Sequence, residues 1–284
     1  MTTHIALIGA GGKMGCRITD NLRGTPNQVF YVEISERGRQ NLEQRGLATT
    51  PQDDAVSQAD IVILAVPDVA IESVAKSVVA KMKPGAMLML LDPAAAYLGK
   101  LPPREDVTYF ISHPCHPPVF NDEVGEARRD YFGGIKAKQA IVCALMQGPE
   151  GDYARGEEIA RTIFAPVFRS HRITLEQMAM LEPTMAETVG SMLAVLYGEA
   201  LDEAVRRGVP YEAARDFMLG HINIQLAIVF GEAGNPFSDA CKIAIEYGKK
   251  SMIKENWRSL YDPDKIYEQI DVMLHPEKFN SIKF

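Results

Sequence analysis

The chain has 284 residues, enough for two domains, and its 46% hydrophobic and 24% charged content is ordinary for a soluble globular protein. No apolar stretch approaches the roughly eighteen residues of a membrane span, and a net charge of −7 argues against a general nucleic-acid surface. Cys16, Cys115, Cys143 and Cys241 lie far apart with no C-x-x-C pair, so reduced thiols are expected rather than a disulfide framework or a zinc knuckle. Met1-Thr2-Thr3 leads straight into an apolar run without room for a signal peptide, which predicts a cytoplasmic protein.

That run, His4 to Ile8, reads as a strand. It passes into Gly9-Ala10-Gly11-Gly12-Lys13-Met14-Gly15 and then into a helix through Arg17 to Leu22. A strand that reverses tightly into a helix and lets a pyrophosphate approach its N–H groups needs residues without a Cβ. Gly9, Gly12 and Gly15 meet that need as G-x-x-G-x-x-G, whereas the usual dinucleotide spacing G-x-G-x-x-G would want glycine where Met14 stands. The next strand, Val29 to Val32, ends in Glu33. An acid there accepts both adenosine ribose hydroxyls and repels a 2′-phosphate, which favours NAD, although nearby Arg37 keeps NADP open.

Strands and helices go on alternating. Ala59 to Asp68 is a continuous apolar strand suited to a sheet covered on both faces, and its carboxyl end should face the ligand crevice. A helix over Val69 to Lys81, strands over Ala86 to Leu91 and Val107 to Ser112, and a further strand over Gln139 to Met146 follow. The cofactor contacts expected are Gly9, Gly12, Lys13, Met14, Glu33, Val66 and Asp68. Glu157 to Phe164 reads as a helix, Val167 to Ile173 as a last strand, and the rest as helices: Leu175 to Leu181, Met185 to Arg207 with Gly208 as its stop, Tyr211 to Glu232, a Ser238-capped helix to Tyr247, and Asp264 to Leu274. The fold expected is α/β: a Rossmann-like doubly wound parallel sheet over residues 1–173, followed by an all-α domain over 174–284 for substrate binding and dimerisation. Met192 to Leu196 and Ile222 to Phe230 are apolar around so much of their circumference that a homodimer is expected to bury them.

Two segments carry candidate chemistry. In Ser112-His113-Pro114-Cys115-His116-Pro117-Pro118 the prolines stiffen a strand end, so His113 and His116 are held, which suits a metal ligand or a general base. The second is Leu181-Glu182-Pro183-Thr184-Met185-Ala186-Glu187-Thr188, the start of the long helix. Glu182 reads as a cap favoured by the helix dipole or as a metal or substrate contact. Glu187, among apolar neighbours, reads as a site residue or half of an ion pair. On a regular helix the two would stand about 140° apart and not share a face. His221 reads as a satisfied core histidine.

The segments Gly9 to Gly15, Asp60 to Asp68 and Ser112-His113-Pro114 resemble the NAD(P)-binding group that includes prephenate dehydrogenase, 6-phosphogluconate dehydrogenase and ketol-acid reductoisomerase. The Ser-His-Pro of prephenate dehydrogenases continues Met-x-Gly, where this chain has Cys115-His116-Pro117. The β-hydroxyacid dehydrogenases of that group carry a lysine where this chain has Glu187, so lysine-assisted dehydrogenation is not expected. A carboxylate in that place makes electrostatic sense beside another positive centre, and a divalent metal would supply one.

Across its length the chain resembles the D-apionate oxidoisomerases, on the Gly9 to Gly15 loop, the His113 to Pro118 segment and the Leu181 to Thr188 helix start together. The resemblance implies NAD, a branched sugar acid as substrate, hydride removal at C2, and hydroxymethyl migration to 3-oxo-isoapionate. It also implies catalysis by His113 and Glu187, and a divalent metal on His113 and Glu182, zinc before magnesium and better suited than calcium. The alternatives are a plain NAD-dependent hydroxy-acid or prephenate-like dehydrogenase, and an NAD-sensing regulator without turnover.

Overall fold

The computed structural model describes residues 2–282. Seven strands, β1 (His4–Ile8), β2 (Gln28–Val32), β3 (Ile61–Leu64), β4 (Met87–Leu90), β5 (Thr108–Pro114), β6 (Gln139–Gln147) and β7 (Val167–Arg172), form one sheet in the order β2-β1-β3-β4-β5-β6-β7. Helices α1 (Lys13–Leu22), α2 (Glu36–Glu43), α3 (Gln52–Gln58), α4 (Asp68–Val79), α5 (Ala94–Tyr97) and α6 (Asp152–Ile163) accompany it. Strands β3 and β4 are buried along their whole length, as the unbroken apolar runs require of a sheet covered on both faces. Ile5, Leu7, Ile63, Met89, Phe110 and Ile141 from the sheet pack with Ile18 of α1 and Ile163 of α6 in a single core. Each such side chain contributes about 1.5–3 kcal/mol by leaving water.

The expected Rossmann-like sheet is present, with one departure from all-parallel pairing. Strands β5 and β6 are antiparallel. Residues 115–138 between them hold only the short 3-10 turn Ala127–Arg129 and no crossover helix, and a parallel return needs such a crossover. The connecting segment is nonetheless well braced: the Asp130 carboxylate accepts from the N–H groups of Gly133, Lys136 and Ala137, and Glu123 accepts from Lys138 N–H. Asn21 on α1 ties its end down by donating to the carbonyls of Gly134 and Ile163.

Other boundaries shift for local reasons. Strand β3 stops at Leu64, and Pro67, which has no N–H to donate, stands at the cap of α4, so Asp68 is a helix N-terminal residue and not a strand end. His113 lies inside β5 rather than after it.

The chain divides into two compact units, one running to Met180 and including residues from Ile270 on, the other Leu181–Gln269. The remaining helices are α7 (Leu175–Ala179), a π-helical segment Met180–Ser191, α8 (Met192–Arg206), α9 (Tyr211–Val229), α10 (Asp239–Met252) and α11 (Pro263–Leu274). Gly208 ends α8 with φ of +102°, and the Ser238 hydroxyl caps α10 by accepting from Cys241 N–H at 3.2 Å, both as the sequence pattern predicts. The π-helical segment was not expected. Pro183 inside it has no N–H for an α-helical bond, and the wider i→i+5 repeat takes over. The wider turn of such a segment brings residues five apart, such as Glu182 and Glu187, nearer to one face than the α-helix expected there would. Among the described residues no helix is long and apolar enough to cross a membrane.

Candidate functional site

The turn after β1 is built by close backbone contacts. Gly9 has φ of +81°, and a Cβ on it would lie 2.4 Å from the Ala65 carbonyl oxygen. Gly11 has no room for one either, because the Gly38 carbonyl oxygen would lie 2.1 Å away. Gly15 is equally closed, a Cβ on it falling 2.0 Å from Gly9 O, whereas Gly12 is less confined, its nearest obstacle being Gly9 O at 3.3 Å; of the expected triad Gly9 and Gly15 are crowded, and Gly11 takes the place of Gly12.

Glu33 locks this arrangement. Its Oε2 accepts from Gly11 N–H at 3.0 Å, while its Oε1 accepts from the N–H groups of Ile34 and Ser35 at 2.9 and 2.8 Å and from the Ser35 hydroxyl. The carboxylate thus braces the loop, and Oε2, with one donor, keeps acceptor capacity for a ribose hydroxyl.

The first bond of α1 runs from Cys16 N–H to Gly12 O, and no side chain caps the helix. The N–H groups of Lys13 and Met14 therefore open out of the positive end of the helix above a floor that excludes Cβ atoms, and these features fit a pyrophosphate. Val66 lies against Gly9, beside the same turn.

Along the carboxyl edge of the sheet stand Asp68, on the first turn of α4 after β3, Asp92, just past β4, and His113, within the last residues of β5. The His113 ring meets the Leu91 carbonyl at 2.7 Å through Nδ1. A carbonyl only accepts, so the proton sits on Nδ1 and Nε2 carries a lone pair. Burial lowers the pKa of His113, outweighing that hydrogen bond, and keeps the ring neutral. Asp92 caps α5 by accepting from Ala94 N–H at 2.7 Å. Asp68 has its carboxyl pKa pushed up to about 6, first by loss of hydration in the crevice and then by the like charge of Asp92, even though solvent still reaches its side chain.

His113 opens on a cavity of about 260 Å³ whose other walls include Lys13, Met14, Arg17, His116 and Phe132. His116, held at a φ of +60°, donates from Nδ1 to the Phe132 carbonyl at 2.8 Å, which brings the two histidine rings to 6.3 Å between centroids. Arg17 and Phe132 escaped the sequence reading. The available signal was the four-residue step from Lys13 to Arg17, which puts both cations on one face of α1.

The carboxylates of the π-helical segment are not deeply buried: Glu182 is half-buried and Glu187 exposed, so Glu187 avoids the desolvation cost anticipated for it. His221 is exposed and not a core residue. It donates to its own helix at Phe217 O and stacks on the Phe217 ring at 3.9 Å.

Residues 121–274 match the family model for the phosphogluconate dehydrogenase (decarboxylating) C-terminal region, and residues 1–134 match the NADPH-binding domain of acetohydroxy acid isomeroreductase. A D-apionate oxidoisomerase of Rhizobium rhizogenes is 53% identical over 94% of this chain and 98% of its own length. Another, of Cupriavidus necator, is 50% identical over 95% and 99%. The chain belongs to the D-apionate oxidoisomerase family. The resemblance read from the glycine loop, the His113 segment and the Leu181 to Thr188 helix start is borne out. A solved structure from Cupriavidus necator, described as a semialdehyde dehydrogenase NAD-binding protein in complex with calcium and NAD, superposes with a TM-score of 0.93 at 50% identity, covering 95% of this chain and 99% of that one. An NADH-preferring ketol-acid reductoisomerase from an uncultured archean shares the fold at a TM-score of 0.64 and 18% identity.

The raised pKa of Asp68 has a thermodynamic consequence. The folded protein holds this proton more tightly than the unfolded chain, so between about pH 4 and pH 6 rising pH costs stability. Asp68→Asn removes that cost. The melting temperature of the variant relative to the parent should rise between pH 4 and pH 7, and a constant difference would show that Asp68 titrates normally.

Proposed function

We propose that the chain converts D-apionate to 3-oxo-isoapionate with NAD, as an oxidoisomerase of carbohydrate breakdown. The neutral His113 imidazole at the sheet's carboxyl edge carries this reading, together with the family to which the chain belongs. The cofactor's phosphates would lie on the N–H groups of Lys13 and Met14 over Gly9 and Gly12, with its ribose on Glu33 and its nicotinamide half toward Val66 and Asp68. NAD is favoured over NADP because a 2′-phosphate would meet the Glu33 carboxylate. We assign residues 1–173 to cofactor binding and 174–284 to substrate binding and dimerisation.

His113 Nε2 takes the proton of the C2 hydroxyl as hydride leaves C2, giving a 2-keto acid next to a tertiary alcohol. Glu187 then removes the C3 hydroxyl proton. The bond from C3 to one hydroxymethyl carbon breaks as its electron pair forms the bond to C2. C3 becomes the ketone, and the new C2 oxyanion takes back a proton. No further oxidant is needed for this second stage.

A divalent metal is proposed on His113 and Glu182. The Nε2 lone pair and a carboxylate suit zinc by donor type, but two donors fall short of the three protein ligands of catalytic zinc sites. Among the described residues no three His, Cys, Asp or Glu side chains converge on a metal position. Magnesium, which completes its shell with water and substrate oxygens, suits so short a set better. When bound, such an ion would polarise the keto oxygen and ease loss of the neighbouring hydroxyl proton. The single Nε2 lone pair of His113 can hold such an ion or take the C2 hydroxyl proton, not both at once, so these two roles of His113 are alternatives, while the step assigned to Glu187 is common to both.

A cytoplasmic homodimer is the proposed form. In the helical unit Phe217, Phe230 and Tyr247 are 69%, 70% and 76% exposed, and a cavity of about 520 Å³ is lined by Leu201, Val209 and Met218. Exposed apolar surface on this scale marks an interaction face. Light scattering should give two chains per particle, and a monomer at working concentration would contradict this.

Incubation with D-apionate and NAD, followed by carbon NMR of the product, tests the reaction. A rearranged 3-oxo acid with one NADH per turnover is expected; an unrearranged 2-keto acid would mean a plain dehydrogenase, and NAD binding without any NADH a sensor. His113→Ala should lower kcat by about 100- to 10,000-fold at unchanged NAD affinity. Elemental analysis of the same variant and of Glu182→Ala should show metal lost, and normal turnover with full metal in both would overturn the two assignments.

A further inference from the structure

Lys13 and Arg17 stand four residues apart on α1, where two like charges repel by a few tenths of a kcal/mol. Neither has a carboxylate partner among the described residues. Instead both lie against one aromatic ring, Lys13 Nζ 4.1 Å and Arg17 Cζ 4.9 Å from the centroid of Phe132. The position of that ring is set by the His116 bond to the Phe132 carbonyl and by the Asn21 bond to Gly134 two residues on. The cavity that these two cations border, about 260 Å³ in volume, has no Asp or Glu in its wall. Across it stand His113 and His116, each with Nδ1 committed to a carbonyl and Nε2 left over.

We propose that Arg17, with the Lys13 side chain, is the subsite for the carboxylate of the acid substrate, holding it so that its C2 hydroxyl is presented to His113. The proposal rests on the reading of a sugar acid as substrate and names the residues that recognise its charge. An anion between the two cations relieves their repulsion, and the Phe132 ring dries the site on one side, which strengthens charge-assisted hydrogen bonds. The cofactor's pyrophosphate would be a rival source of negative charge. Its seat, however, is at the mouth of α1, where the N–H groups of Lys13 and Met14 open, and Arg17 lies about 6 Å of helical rise further along. The cavity also has room for a small acid and not for a dinucleotide.

The test compares Arg17→Met and Arg17→Lys with the parent. For Arg17→Met the KM for D-apionate should rise about 10- to 100-fold, the size of one lost charge-assisted contact, while the NAD dissociation constant stays within about twofold. Arg17→Lys, which keeps the charge and loses the fork, should recover part of the loss. If NAD affinity falls as much as KM rises, the cations serve the pyrophosphate and the proposal fails. It fails equally if neither constant moves, because Arg17 then only packs on Phe132. Thermal melts of both variants check that each is folded. Calorimetric titration of the enzyme–NADH complex with short sugar acids and the matching uncharged alditols separates this proposal from the choice of substrate. Acids that bind the parent but not Arg17→Met uphold the subsite even if D-apionate itself is not turned over, and equal binding of acids and alditols overturns it.

Discussion

The arrangement on which the rest of the sheet edge depends is the contact among Glu33, Gly11 and Gly38. The Glu33 carboxylate reaches back from the end of β2 to hold Gly11 N–H, and Gly11 in turn lies so close to Gly38 that neither loop nor helix tolerates a side chain there. A Cβ on Gly38 would fall 2.4 Å from Glu33 Cδ, so the carboxylate and both glycines occupy one closely packed volume. Because the loop is pinned, the uncapped start of α1 points in a fixed direction, and its open N–H groups fit the proposed seat for phosphate. The same residue that supplies the brace is the one proposed to meet the adenosine ribose. On that proposal, loop shape and cofactor choice are coupled through a single carboxylate.

From that seat the chemistry moves along the sheet edge. Leu91 orients the His113 ring, and burial keeps the ring neutral, so a proton acceptor is ready without any change of protonation near neutral pH. The segment between β5 and β6, which replaces a crossover helix, carries His116 and Phe132 back against α1. Its lack of regular structure does not make it loose, because Asp130, Glu123 and Asn21 satisfy its backbone groups. Reversal of β6 and the presence of a cation-lined cavity are thus two results of one long connection.

Much of this was legible in the sequence because the signals are local. The strand, glycine loop, helix and acid from His4 to Glu33 follow one another within a few turns of chain, and apolar runs such as Ile61–Leu64 report a doubly covered sheet directly. What was hidden depends on contacts across long separations. Gly11 matters because of Gly38, and nothing between them in the sequence marks the approach. Phe132 meets Lys13 and Arg17 only after the chain has crossed the sheet. The π-helical segment was hidden for a different reason: Pro183 reads equally well as the first residue of an α-helix, and only the hydrogen-bond pattern shows the wider i→i+5 bonding that brings Glu182 and Glu187 nearer to one face.

The coupling of loop brace to cofactor choice is tested most directly by calorimetric titration of the protein with NAD and with NADP at the same ionic strength. Binding of NAD at least about tenfold tighter than NADP is expected, the cost of placing a 2′-phosphate beside a carboxylate that the loop does not allow to move away. Equal or tighter binding of NADP would contradict the account, since it would mean that Glu33 either leaves its bond to Gly11 or never meets the ribose.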